Sequence, residues 1–461
     1  MPRNAEVGLH DMLGSELLRS SPERRGQVMA LAVPAMGEMV LHMFIWIVDT
    51  AMVGRLGAAA LSAVGLGGHV YFTLSFVFGA VGVGVTALVS RCKGTGDLAT
   101  AARVARQGLL VATGLGVILS GLVFAAAPVL FRDLARLGPD TTRLGVQYLR
   151  ILCAGAPLLL AGFAANAAVR ATGNTRVPLF AALLGNVVNG VLDYLLIFGV
   201  LGFPRLEVAG AAIAAVLGQI AASTVSLSYL FSRRSGLTAA GGWAIDRAVL
   251  ARLARLSVPA AGEALLLDGG RIVVQFAVAS LGTVAFAAHQ VTVAAESLSF
   301  MPGHGFAIAA AVLAGQGLGA GRPDDVRGWT AEAARLAAMI MGGMGIIFLV
   351  AAPAILRAFT PDPVVIALGA ACLRIAAAGQ LAIAYAETHS GALRGAGDTR
   401  AVMAVTAAGI WALRVPLSYA AVLWLGLDLR AIWVIMVGEW AVRAVLIRIV
   451  FKRGRWETMK V

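Results

Sequence analysis

The sequence predicts an all-α integral membrane protein: twelve transmembrane helices in two pseudo-symmetric six-helix bundles. Three observations predict it. The 461 residues are 59% hydrophobic and only 13% charged, with a mean hydropathy of +0.85, which is outside the range of ordinary soluble domains. Apolar stretches of about 20 residues or more, long enough to cross a hydrocarbon core of about 30 Å, recur along the whole length. The chain also says nearly the same thing twice. LAVPAMGE at 31–38 returns as LSVPAAGE at 256–263, an offset of 225, and YLRI…AVRATGNTR at 148–176 returns as CLRI…ALRGAGDTR at 372–400, an offset of 224. Two copies joined head to tail mean one unit used twice, with a site at or between the copies.

The helices follow in order. After a tail at 1–27, the first bundle (28–232) begins with a span at 28–50, led by Pro34 and carrying Glu38, His42 and Asp49. Their spacing of four and seven places all three on one helical face. Spans at 64–90, 102–127 and 144–169 are rich in Gly and Ala, small residues that let membrane helices pack closely. The fifth, 178–201, carries Asn186, Asn189 and Asp193 on one face, and the sixth is 208–232. The segment 233–249 is the longest polar connection and reads as the linker. The second bundle (250–451) has spans at 250–280, 284–314, 329–353, 364–391, 401–426 and 428–450, followed by a tail at 452–461. Asp268, Arg271 and Gln275 share a face of the seventh span, with Asp268 and Arg271 spaced to pair. His289 and Glu296 share a face of the eighth, as do Gln380 and Glu387 of the tenth. Met301-Pro302-Gly303 and Gly305 predict a local break in the eighth.

The net charge of +13 is topology rather than a nucleic-acid site. Of 37 Lys and Arg, 26 fall in the tails, the linker and alternate connections with their adjoining turns, and 7 in the opposite connections. By the positive-inside rule both termini face the cytoplasm, in a multi-pass protein of a bacterial-type inner (plasma) membrane. No cleavable signal peptide is expected, because the first apolar run is too long for one. Cys92, Cys153 and Cys372 are scattered and read as reduced packing residues, implying no metal centre. No GxxxxGK[ST], HExxH or GxSxG pattern is present, so neither an ATPase nor a membrane enzyme is expected. Energy must come from an ion gradient or from the substrate's own gradient.

Intramembrane acids are costly, on the order of 2.5–3.5 kcal/mol each on insertion scales, and mark functional sites. Here they break the repeat. Asp49 and Asp193 stand where the second copy has Val274 and Leu417, and Asn189 where it has Leu413. The two polar stripes predict a small cavity in which Asp49 and Asp193 supply charge and Asn189 an oxygen ligand or a hydrogen bond. Such a set suits Na⁺ or a proton. Glu38 and Glu263 match across the repeat, four residues after Pro34 and Pro259. A shared task is predicted, either lining the cavity or bonding backbone freed near the proline. Glu38, His42, Asn186, Glu263, Asp268, Gln275, Glu296 and Glu387 are the candidate substrate- or cavity-lining residues. RATGNTR and RGAGDTR read as short turns whose arginines face the headgroups.

At VDTAMVGRLG (48–57) the chain resembles the multidrug and toxic compound extrusion (MATE) family. The likeness continues through NVVNGVLDYLLIFG (186–199), AGAAIAA (209–215), AFAAHQ (285–290), FAIAAAVLAGQGLGAG (306–321), LRGAGDT (393–399) and VGEWAVRAVLIRIVFKRGRW (437–456). The resemblance implies a V-shaped pair of bundles that rock between inward and outward states, exporting organic cations or drugs in exchange for H⁺ or Na⁺ with no further cofactor. It implies a cation site at Asp49, Asn189 and Asp193 and a bending point at Pro34. Ala215 departs from the threonine common in relatives and removes one oxygen, which favours H⁺. Asp268 and Glu387 lie near acids used by one branch of the family. The expected partners are small organic molecules and the lipid bilayer, with the chain a monomer. A flippase for lipid-linked oligosaccharides, built on a related architecture, is the alternative.

Overall fold

The computed structural model describes residues 21–237 and 242–459; most of the N-terminal tail and the middle of the linker lie outside the described residues. Twelve long helices follow one another. The first six are α1 (Pro22–Gly54), α2 (Ala58–Thr95), α3 (Leu98–Asp133), α4 (Pro139–Ala171), α5 (Arg176–Phe198) and α6 (Glu207–Phe231). The second six are α7 (Arg247–Ala279), α8 (Thr283–Gly319), α9 (Pro323–Arg357), α10 (Pro363–Ala396), α11 (Thr399–Trp424) and α12 (Leu429–Lys452). Ten of them are long and apolar enough to cross a membrane by length and composition. The other two, α7 and α12, carry acids and arginines in mid-helix, and burial and pairing within the bundle replace the missing hydropathy.

Most of the helices outrun the predicted spans at one or both ends, because polar residues continue the helix beyond the apolar run. Pro22, Pro139, Pro323 and Pro363 open their helices at N1, where the missing N–H leaves no unmet bond. Asp97, Asp246 and Asp398 cap others, and Asp362 caps α10 as well, by accepting amide hydrogens of the first turn. Amide donation by Val249, helped by Ala248 and by Arg103 at 3.6 Å, holds the Asp246 carboxyl below the usual range. A depressed carboxylate gives its contribution above its unfolded pKa and loses it as pH falls through the folded one. This contact between the α7 cap and α3 therefore persists at neutral pH and weakens only in acid.

One expectation about helix shape is corrected. The predicted break at Met301-Pro302-Gly303 is absent: α8 runs unbroken through Pro302, and its glycines serve close packing instead. A Cβ on Gly303 would meet Met341 Sδ at 2.5 Å, and one on Gly305 would meet Met36 Cγ at 2.6 Å. Pro34 and Pro259 lie well inside their helices, since α1 and α7 begin twelve residues earlier and run through them. Two helices depart from regular α winding: α3 ends in a π-wound segment from Val129, and α11 is wound in π form at Ala408–Arg414 and Ala420–Trp424 around a short α segment at Val415–Tyr419. In α11 Pro416 removes one backbone donor, and a widened turn accommodates the loss.

The halves meet on a pseudo-two-fold axis. Gly94 of α2 packs on the backbone of Gln316 in α8, and Gly319 of α8 packs on the backbone of Arg91 in α2. Each pair is the 225-shifted image of the other. Further ties between the halves gather at this end. Gln316 Nε2 donates to the Ala171 carbonyl at 2.9 Å, Trp329 Nε1 to Gln27 Oε1 at 2.5 Å, and Arg24 reaches Asp325 at 3.4 Å.

Candidate cation site in the first bundle

The polar stripes of α1 and α5 meet. Asn186 Nδ2 donates to the Leu41 carbonyl at 2.7 Å, fixing the register of α5 on α1. One turn further, Asn189 Nδ2 donates to Asp49 Oδ1 at 2.9 Å and to Asp193 Oδ2 at 2.7 Å. A single amide therefore bridges the two carboxyl groups, which also lie close enough to interact directly. Asn189 acts here as a donor rather than as the oxygen ligand that its residue type equally allows. Asp193 is 1% exposed and Asn189 is 7%, while Asp49 is half-buried. The second oxygen of Asp193, Oδ1, is buried with no hydrogen-bond partner. The bridge is braced from behind by Gly218 of α6, where an added Cβ would meet Asn189 Cβ at 2.9 Å. A group the sequence did not single out joins them: Tyr148 of α4, buried, lies within electrostatic reach of both acids.

Glu38 and Glu263 are buried within their bundles. Arg170 Nη1 holds both oxygens of Glu38 at 2.9 Å, with His42 at 4.0 Å. In the second copy Arg394 binds Glu263 through Nη2 at 2.6 Å and Nε at 3.2 Å, and Thr406 Oγ1 adds a bond at 3.2 Å. The shared task is thus an ion pair, not rescue of backbone at the proline. Arg170 and Arg394 are the first residues of RATGNTR and RGAGDTR, so both turn into the bundle rather than toward headgroups. The repeat carried the signal, since glutamate and arginine recur together in both copies. Removing one partner of a buried pair strands the other charge, a loss of about 3–5 kcal/mol. Glu263→Gln is therefore expected to lower the thermal midpoint of the purified protein clearly more than Asp268→Asn does. An equal shift for the two would sink that reading.

The second bundle's candidates divide. Asp268 meets Arg271 within α7 at 3.5 Å. His304 of α8 contacts Glu387 of α10 at 3.4 Å, and Gln380 accepts from Ser299 at 2.6 Å. Glu296 and Gln275 are half-buried, and the cations facing Glu296 are Arg414 and Arg271. Beneath them Glu439 of α12 is clamped between Arg414 and Arg443, with Gly409 leaving room for its carboxyl. This closed trio has no counterpart in the first bundle's acid pair, which lacks any arginine among its hydrogen-bond partners.

Comparison with known proteins agrees with this architecture. The MatE family model matches residues 34–195 and again 259–420, once per copy. The chain is 31% identical over 441 residues to the probable multidrug resistance protein NorM of Thermotoga maritima, covering 95% of this chain and 94% of that protein. It is 28% identical over 409 residues to the multidrug resistance protein PmpM of Pseudomonas aeruginosa, covering 86% and 83%. Among solved structures, a MOP superfamily transporter from Pyrococcus furiosus superimposes with a TM-score of 0.88 at 24% identity over 96% of this chain and 97% of that one. An outward-facing multidrug resistance MATE family transporter gives a TM-score of 0.88 at 23% identity, over 96% and 98%.

Proposed function

We propose, from the fact that the chain belongs to the MatE family of transporters, that it is a secondary active multidrug efflux antiporter which exports organic cations or drugs in exchange for H⁺. The observation that supports this most is the amide-bridged pair of Asp49 and Asp193. Two carboxyl groups in direct reach share a water-poor site only with a proton or a cation between them. The relatives' names, multidrug resistance proteins NorM and PmpM, support the drug class.

The donor set favours a proton. Na⁺ calls for several oxygen ligands, but Asn189 offers N–H to both acids, and Ala215 of α6 offers no side-chain oxygen at all. The unpartnered Asp193 Oδ1 is a ready place for the proton. Coupling then follows if the pair is loaded in one state and emptied in the other, because an ion shifts an equilibrium only by its differential affinity. With the basic loops on the cytoplasmic side, the seam at Gly94 and Gly319 closes the cytoplasmic face and leaves the acids to be loaded from outside. The flippase reading loses support, since Arg271 and Arg414 are paired with Asp268 and Glu439 rather than offered to a diphosphate.

The test is transport in proteoliposomes under an imposed gradient, with a panel of cationic dyes. Dye export driven by a pH gradient and indifferent to Na⁺ is the expected result. Export that follows a Na⁺ gradient alone would refute proton coupling, and diphosphate-headgroup binding without dye export would favour the flippase.

A further inference from the structure

We propose that the crevice between α2, α3 and α7, at the end where the halves meet, binds one phosphate oxyanion and so favours the state closed at that end. The repeat shows what is unusual about it. In the twin crevice, between α8, α9 and α1, Trp329 fills the space: its ring lies 2.9 Å from where a Cβ on Gly317 would stand, and its indole N–H donates to Gln27. Asp325, held by Arg24 at 3.4 Å and Arg322 at 3.6 Å, closes that crevice.

Shifted by 225, the same positions in the first copy are occupied differently. Val104 replaces Trp329, Cys92 replaces Gly317, Arg252 replaces Gln27, Arg91 replaces Gln316, and Thr100 replaces Asp325. The short valine leaves a cavity of about 40 Å³, lined among others by Arg91, Arg252, Thr100 and Val104. The exchange moves the charges rather than adding to them: Val249 replaces Arg24 and Asp97 replaces Arg322, while Arg91 and Arg252 now line the cavity itself. Arg91 is half-buried, and its Nη1 is fully enclosed without a hydrogen-bond partner. The nearest acids are committed elsewhere: Asp97 accepts the Thr100 amide at 2.9 Å, and Asp246 caps α7 and faces Arg103.

Two guanidinium groups and a hydroxyl are groups that recognise phosphate. A water needs roughly 10–15 Å³ of such space, so this cavity admits one tetrahedral oxyanion and excludes a sugar or a base. Its walls come from both halves, α2 and α3 from one and α7 from the other. An occupant is therefore held only while this end is closed, and it biases the equilibrium toward that state. The oxyanion can come from an anionic phospholipid of the adjoining leaflet or from soluble phosphate. The lipid source rests on the cytoplasmic orientation proposed above; the site itself does not.

The experiment follows the thermal midpoint of the purified full-length protein in neutral detergent, titrated with phosphatidylglycerol, with phosphatidylcholine and with inorganic phosphate. The wild type is expected to show a saturable rise with phosphatidylglycerol and none with phosphatidylcholine. A matching rise with inorganic phosphate assigns the site to a soluble anion, and none assigns it to the lipid. Arg91→Gln/Arg252→Gln, which installs the twin's residues, is expected to weaken half-saturation by roughly tenfold or more, at about 1 kcal/mol per arginine. Val104→Trp, which installs the twin's plug, is expected to abolish the response. If Val104→Trp fails to fold, the arginine variant decides alone. A wild type unmoved by phosphatidylglycerol and phosphate, or variants that respond as it does, would overturn the proposal. The midpoint reports no transport, so failure of the antiport reading leaves this outcome separately readable.

Discussion

Asp193→Asn is expected to reduce gradient-driven efflux by roughly 5- to 150-fold, the range of an ordinary coupling free energy of about 1–3 kcal/mol. Asparagine keeps the volume of the side chain and its bond to Asn189, so the helices stay in register. It cannot carry an exchangeable charge, so the pair no longer distinguishes a loaded from an empty state. Asp49→Asn is expected to do the same, and the double variant to be little worse than either, because the two act as one unit. Efflux of a cationic dye from energised cells, with and without collapse of the pH gradient, measures this. The purified variants should melt as the wild type does. Wild-type efflux with an intact dependence on the gradient would remove the acid pair from the mechanism.

Much of this site was legible because asymmetry inside a repeat is informative. Asp49, Asn189 and Asp193 announce themselves by facing Val274, Leu413 and Leu417, and helical spacing alone puts each set on one face. That their amide and carboxyl groups would meet at 2.7–2.9 Å was not legible, because it depends on the register between α1 and α5 set by Asn186 on the Leu41 carbonyl. Tyr148 was missed although it too breaks the repeat, facing Cys372, because an aromatic on an apolar helix has nothing local to distinguish it. The arginines of the two turns were misplaced for a related reason. Composition puts Arg170 and Arg394 at a membrane boundary, and only packing shows that each can reach back about a turn to a buried glutamate. The predicted break in α8 failed because Pro and Gly permit a kink without requiring one. Neighbouring Met36 and Met341 use the glycines for contact instead.

Gly94→Val and Gly319→Val are expected to open the seam between the halves. The space beside each glycine is occupied by backbone of the opposing helix, Gln316 in one case and Arg91 in the other. Backbone cannot swing away as a side chain can, so α2 and α8 must separate. Overpacking of this kind costs about 1–3 kcal/mol per site, enough to move a two-state equilibrium by roughly 5- to 150-fold away from the closed form. The bond from Gln316 to Ala171 and the Arg24–Asp325 pair lie on the same seam and should be lost with it. Distances between spin labels on α3 and α9 near this end, measured in the purified protein, should lengthen and broaden, and export should fall. Gly54→Ala, at a helical position with nothing within 4 Å of an added Cβ, serves as the control. The two contacts are images of each other under the 225 shift, so each single variant should shift the distances to a similar degree. One variant opening the seam while the other leaves it shut would show that the pseudo-axis does not carry the closure, and that the two copies divide a task the geometry presents as shared.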